Sequence, residues 1–502
     1  MKFNTKGIIT MKKILIPFTA IALMVTGCEV DKSINDNPNE ITLADVDAKL
    51  FLNGAQLANV IVQVSHLNRI SGMYSGQLVG FTSLYSNIYG YSLSTIESND
   101  EWTAAYSGVV TNARHIQTSA PDDKLLVGIS KVLEANAVGT LALLMGDIPY
   151  TEINNDVDYP DPVFDGQKSV LSALSTLLDG AISDLGSATS RKESFDIYFN
   201  GDKDKWIAAA YTLKARYALA NKDYAGALSA ANNGISSSAG DMLYIPRGDA
   251  AISQGDKNLF FTILAGSRTG DIGNDGSYLL NMLDTSNASY RGNAKTNETA
   301  RHGYYAIDES SSSGNTGVVA QFEPQPIATF SENHLIKTEA SARSSFASGL
   351  SALNAYRAWL DAGGRLNAAF DDAANYSYEA YVEADFTSGG MENADGVTKE
   401  KALLREIIEE RYVSGFGSWM PFNDHRRLRG AGETDLVVPF PLNTIAATSH
   451  VERIPHAQDE IISNSKAPRH QDPVWHVPCR QERFYDPRPF LHITLLPKRY
   501  CH

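Results

Sequence analysis

The chain has 502 residues and a formal net charge of −15, with 58 acidic side chains against 43 lysines and arginines. So acidic a body offers no clustered cationic surface for nucleic acid or for anionic lipid, which both need concentrated Lys and Arg. It has three cysteines, Cys28, Cys479 and Cys501, so nothing between 29 and 478 can build a disulfide scaffold.

Residues 11–28 read MKKILIPFTAIALMVTGC. Lys12 and Lys13 precede an apolar run, Ile14 to Val25, that is too short to span a bilayer comfortably and contains Pro17. It ends in Val25-Thr26-Gly27-Cys28, small residues before a cysteine. This is the layout of an exported precursor, and its end resembles a bacterial lipobox, with cleavage before Cys28 and lipid on its thiol. Met11 is the more natural start. The segment 1–27 carries Lys2, Lys6, Lys12 and Lys13 and no acid, so its removal leaves the body more acidic still. Glu29, Asp31, Asp36 and Asn37-Pro38-Asn39 give residues 28–40 the composition of a flexible tether.

Leu126, Ile129, Leu133, Ala137, Leu141 and Leu144 recur at helical spacing, up to the Gly146-Asp147-Ile148-Pro149 stop. Ser169–Leu185 reads as a further helix ending at Gly186. Trp206, Ala210, Leu213 and Tyr217 form one stripe. Asn221-Lys222-Asp223 breaks it, and Tyr224, Leu228, Ala231 and Ile235 resume, which predicts an αα-hairpin of tetratricopeptide type. From about 240 to 350 Gly, Ser, Asn and Thr dominate, which predicts long excursions with little strand, Gly317–Phe322 being a possible hairpin edge. Leu404, Ile407, Ile408 and Tyr412 mark a late helix closed by Gly415 and Gly417; Glu406, Glu409 and Glu410 alternate there with Arg405 and Arg411, as in i,i+4 pairing on a helix face. Arg426 and Arg427 beside Asp424 read as a buried or interfacial ion-pair cluster. Residues 469–502 lose the period, turn basic and hold four histidines and two cysteines, out of character with the body; a frameshifted reading and a genuine appended segment both fit this composition.

Taken together these segments resemble the SusD/RagB outer-membrane nutrient-binding lipoproteins of Bacteroidota. The matching segments are Asn99–Trp102 with Tyr106, Asn112–Ile116, Leu144–Tyr150 and Trp206–Tyr217, then Glu406–Arg427 with Trp419, then Arg453–His456 followed by Glu460 and Asn464. His456 stands where the family usually has tyrosine, and the family normally ends soon after that block. The resemblance implies a mostly all-α, SusD-like domain over 41–468, built on tetratricopeptide-like helix pairs with long irregular loops forming the ligand face. It implies a surface-exposed lipoprotein, anchored to the outer membrane through Cys28, that captures oligosaccharide or peptide and delivers it to a SusC-like TonB-dependent transporter.

Sugar recognition needs flat aromatic faces with polar neighbours. Tyr85, Tyr89 and Tyr91, then Tyr304 and Tyr305, are the expected ligand contacts; Trp102, Trp206 and Trp419 are expected in the core. Asp271–Gly276 begins like a calcium loop, but Gly273 and Met282 fail two ligand positions, so a plain turn is expected there. No H-E-x-x-H, Walker or G-x-S-x-G motif occurs. No catalytic residue, metal or cofactor is expected. The rival readings are a surface glycoside hydrolase or peptidase with the same export signal, and a tetratricopeptide-type scaffold that binds only proteins.

Overall fold

The computed structural model describes residues 46–155, 157–252 and 255–468. The export segment with Cys28, the tether and the tail 469–502 lie outside the described residues.

The frame is helical. Among its members are α1 (Ala48–Val64), α2 (His66–Tyr74), α3 (Lys124–Met145), α4 (Gln167–Ser187), α5 (Lys203–Ala220), α6 (Tyr224–Ala231), α7 (Phe330–Ser344), α8 (Phe346–Leu360), α9 (Lys399–Ser414) and α10 (Met420–Arg429). Asp123 starts α3 by accepting the Leu126 N–H at 3.3 Å, and Gly146, at φ 96°, ends it. This helix is apolar nearly all round and is buried accordingly, against α1, α4 and α5. Its length and hydropathy would suit a membrane span, yet the protein itself covers it.

The predicted αα-hairpin is α5 and α6. Asp202 caps the first helix, through the N–H groups of Asp204 and Lys205, and Asp223 caps the second, through Gly226 N. Lys222 takes a left-handed φ of 65° in the turn. Trp206 is fully buried, and Trp102 and Trp419 are buried too. Helix α6 stops at Ala231, short of the expected Ile235, because Asn232-Asn233-Gly234 turns the chain; the Ile235 N–H then donates to Thr212 Oγ1 at 3.0 Å. Helix α4 runs through Gly186 to Ser187. Helices α7 and α8 cross tightly at Gly349, where a Cβ would lie 2.4 Å from that of Ala342.

Among the described residues, strands fall in four two-stranded antiparallel ribbons. Residues 317–322 are turns, not a hairpin edge; the ladder falls at Gln325–Ala328, paired with Met242–Tyr244. Gly317 sits too close to the Tyr304 carbonyl for any side chain, and Val318 N–H donates to that carbonyl, which commits the backbone to the turn.

The charged face expected on α9 is corrected by packing. Glu406 and Glu410 point inward, and their partners come from the central excursions. Arg291 binds Glu406 at 3.0 Å and Glu410 at 3.0 Å; Arg301 binds Glu410 at 2.7 Å and Glu298 at 2.6 Å. Arg405 pairs instead with Asp395, and Arg411 with Asp424. The expected cluster on α10 forms: Arg427 is held by Asp424 at 2.7 Å and Glu339 at 2.5 Å. Arg426 leaves it and donates to the Leu143 carbonyl.

Candidate functional site

An exposed tyrosine face is not what the fold provides. Tyr85 is 2% exposed and its hydroxyl accepts from Arg69 Nε at 2.9 Å. Tyr91 is 6% exposed; its hydroxyl accepts from the Asn443 N–H, and its ring meets Tyr74 edge-on. Tyr304 donates to Glu323 at 2.8 Å, and Tyr305 packs 4.9 Å from Phe416. All four rings belong to the main hydrophobic core, Tyr85 from the short helix Ser83–Tyr89 and Tyr304 and Tyr305 from the short helix Thr299–Tyr305. Tyr89 alone of the five stays half-buried.

The loops do line an open surface pocket of about 420 Å³, with Asp275, Leu280, Asp308, Thr316 and Phe370 in its wall. The segments that line it are tied together by asparagine side chains. Asn274 donates to the Tyr305 carbonyl and accepts the Ile307 N–H, joining two excursions. Asn315 accepts the Asp308 N–H and donates to the Asp308 and Ser311 carbonyls, which sets the serine-rich turn. Asn367 donates to the Thr316 carbonyl and to Glu323, drawing in the loop that bears Phe370. The Phe370 ring lies over Gly303, whose missing Cβ would sit 3.0 Å away, and is backed edge-on by Tyr304 at 5.8 Å. Tyr304, expected at the ligand, stands behind the ring that lines the pocket. Phe370 was missed because it is a single ring in a turn-rich stretch; the signal available was its place among Asn367, Asp371 and Asp372.

Asp271–Gly276 is not the plain turn expected: Ile272 and Gly273 pair as a short antiparallel strand with Val79–Gly80, and Asp275-Gly276 then turn the chain into the helix Tyr278–Leu283, which Ser277 caps through Leu280 N. Asp271 accepts from Thr82 at 2.6 Å and pairs with Arg268. Among the described residues no group of three or more His, Cys, Asp or Glu is arranged to hold a metal.

A larger cleft of about 610 Å³ lies beside α9. Its carboxylates are already engaged: Glu406 and Glu409 by Arg291, Asp395 by Arg405, Asp435 by Lys401, and Glu392 by Asn293 and Tyr381. No aromatic ring lines it. A ring with hydroxyl, amide and carboxylate neighbours is what the C–H faces and hydroxyls of a sugar require, so the Phe370 pocket is the candidate site.

A family model described as starch-binding and associating with the outer membrane matches residues 38–429. No curated protein sequence matches the chain. A SusD/RagB family protein from Bacteroides thetaiotaomicron superposes with a TM-score of 0.62 at 18% identity, over 84% of this chain and 95% of that one. A chitin-binding SusD homologue from Flavobacterium johnsoniae gives 0.58 at 18% identity, over 82% and 94%. A SusD homologue from Bacteroides uniformis gives 0.59 at 16%, over 85% and 95%.

Proposed function

We propose a function from one premise: the chain belongs to the SusD-like family, whose model spans most of it. The protein is a non-catalytic lipoprotein of the outer membrane that binds oligosaccharide at the Phe370 pocket and passes it to a SusC-like TonB-dependent transporter. The observation that carries the sugar reading is the pocket itself, where an aromatic ring backed by Tyr304 stands among Asp275, Asp308 and Thr316. The family's description as starch-binding and the chitin-binding neighbour give the class of ligand to try first. Tyr89, the open ring of the first tyrosine group, is a second contact to test.

Phe370→Ala is expected to weaken binding in affinity gels of starch or soluble chitin oligomers by about tenfold, with melting unchanged within a few degrees. Stacking contributes on the order of 1 kcal/mol beyond burial, and about 1.4 kcal/mol is tenfold. Normal retardation of the variant would move the site elsewhere, Tyr89→Ala being next. Bound glycan is expected to keep its reducing-end count; release of new ends would favour the hydrolase.

Anchoring rests on the export segment. Cys28→Ala is expected to abolish lipidation and release the protein from outer-membrane fractions. A variant that still partitions into detergent would remove Cys28 from that role.

A further inference from the structure

After α10 the chain runs through residues 437–451 without helix or strand, as a strap laid across the body. Phe440 seats it. That ring is 3% exposed, and a Cβ on Gly76, at φ 71°, would lie 2.7 Å from the Cβ of Phe440, so only glycine lets the strap settle just beyond α2. Asn443 is the second hold: its N–H donates to the Tyr91 hydroxyl at 3.0 Å and its side-chain amide to the Met73 carbonyl at 3.0 Å. The third hold is aromatic. His425 on α10 and His450 at the far end of the strap meet edge-on at 4.6 Å, and Phe440 closes the triangle at 4.5 Å from His425 and 4.9 Å from His450.

Ring packing makes this clasp. Both ring nitrogens of His425 and Nδ1 of His450 are buried without a hydrogen-bond partner among the described residues. A neutral imidazole tolerates such a place at the cost of an unmade hydrogen bond, whereas an imidazolium there is a buried charge without a counter-ion, which costs far more. The groups that face the rings do not compensate it. From α10, Arg429 adds like charge to both, and Arg426 is turned to the Leu143 carbonyl. Beyond the strap, Glu452 is engaged by Arg429 at 3.3 Å. Tyr412 of α9, stacked on Phe440 at 6.2 Å, is kept uncharged by burial, as are Tyr74 and Tyr91 on the side of α2. Burial above all, with His450 and Arg429, holds His425 down at about 3, and burial with Arg429 holds His450 down at about 4, against an ordinary value near 6.5. A lifted strap returns both rings to water and to ordinary basicity. The open form then binds protons that the closed form refuses, so the closed form is most stable above pH 6.5 and loses stability as pH falls from there toward 4.

We propose that His425 and His450 form a proton-operated clasp: while neutral they let Phe440 hold the strap 437–451 closed, and mild acid releases it. Val437, Val438 and Pro439 of the strap also line the cleft beside α9, so release alters a wall of that cleft. The clasp stands independently of sugar binding at Phe370.

The test is hydrogen exchange of the whole mature protein, read by mass spectrometry at pH 7.5 and pH 5 and corrected for the intrinsic pH dependence of exchange. Protection of peptides covering 437–451 should fall by about tenfold or more in the acid sample, while α3 and α5 keep theirs. His425→Phe with His450→Phe keeps the rings and removes the titration, and should abolish that fall. Should the double variant not fold, His450→Phe alone should show a several-fold smaller fall than wild type. Strap protection that is equal at the two pH values in wild type, a fall shared equally by α3 and α5, or an undiminished fall in the folded variant overturns the proposal.

Discussion

Glu339→Ala is expected to cost about 3–5 kcal/mol of folding stability, the range for removing one partner from a buried ion network. Glu339 on α7 is fully buried and receives Arg427 through both oxygens, at 2.8 and 2.5 Å, and Arg343 at 3.0 Å. Arg427 keeps Asp424 and Arg343 keeps Glu433, so the variant loses the centre of the network and retains its ends. The pH dependence has a definite sign. Burial opposes ionisation of Glu339, but Arg427 and Arg411 outweigh it and hold the carboxyl down at about 2. A depressed folded pKa stabilises the native state above the unfolded value, near 4.5, and that stabilisation is lost as pH falls from there toward 2. Wild type should lose urea resistance over that window, and Glu339→Ala should show a flatter acid limb. A denaturation midpoint within error of wild type at pH 7 would show that the arginines find other partners.

Trp206→Ala should cost a similar amount, about 3–5 kcal/mol, as expected for a large ring removed from a packed core. The indole is fully buried, Phe199 and Tyr198 meet it edge-on at 5.2 and 5.9 Å, and its N–H donates to Asp196 at 2.8 Å. Asp196 also takes the N–H groups of Tyr198, Phe199 and Gly201, so the ring pins the loop that delivers the chain into α5. Trp206→Phe separates the terms: it keeps much of the packing and should lose about 1 kcal/mol for the hydrogen bond. An unchanged melting temperature in Trp206→Ala would place the ring outside the core and undo the assignment.

The helical frame was legible because its residues repeat a local rule. Leu126 to Leu144 and Trp206 to Tyr217 show the 3.6-residue period, and Asp202 and Asp223 stand where caps belong. The partners of α9 were not legible. Arg291 and Arg301 lie more than a hundred positions before Glu406 and Glu410, and no local pattern announces that pairing. The tyrosines misled for a related reason. In a short element without a long period a ring that joins the core and a ring that meets a ligand have the same neighbours in sequence, and only the returning chain decides. Phe370 lines the pocket because Asn367 pulls its loop against Thr316 and Glu323.

The central helix α3 has a consequence for biogenesis. A chain that crosses a membrane unfolded presents Lys124–Met145 to the translocation channel as a candidate stop-transfer segment, since its composition would satisfy a lipid core. Glu134 and Lys131 sit near its middle, and a charged residue there adds about 2.5–3.5 kcal/mol against lateral insertion. In the folded protein Glu134 receives Arg114 at 2.9 Å and Tyr150 at 3.3 Å, so its carboxylate is accommodated in the core it helps to organise. Under the proposed export the same carboxylate opposes lateral insertion of the segment, and in the folded protein it ties α3 to Arg114 and Tyr150.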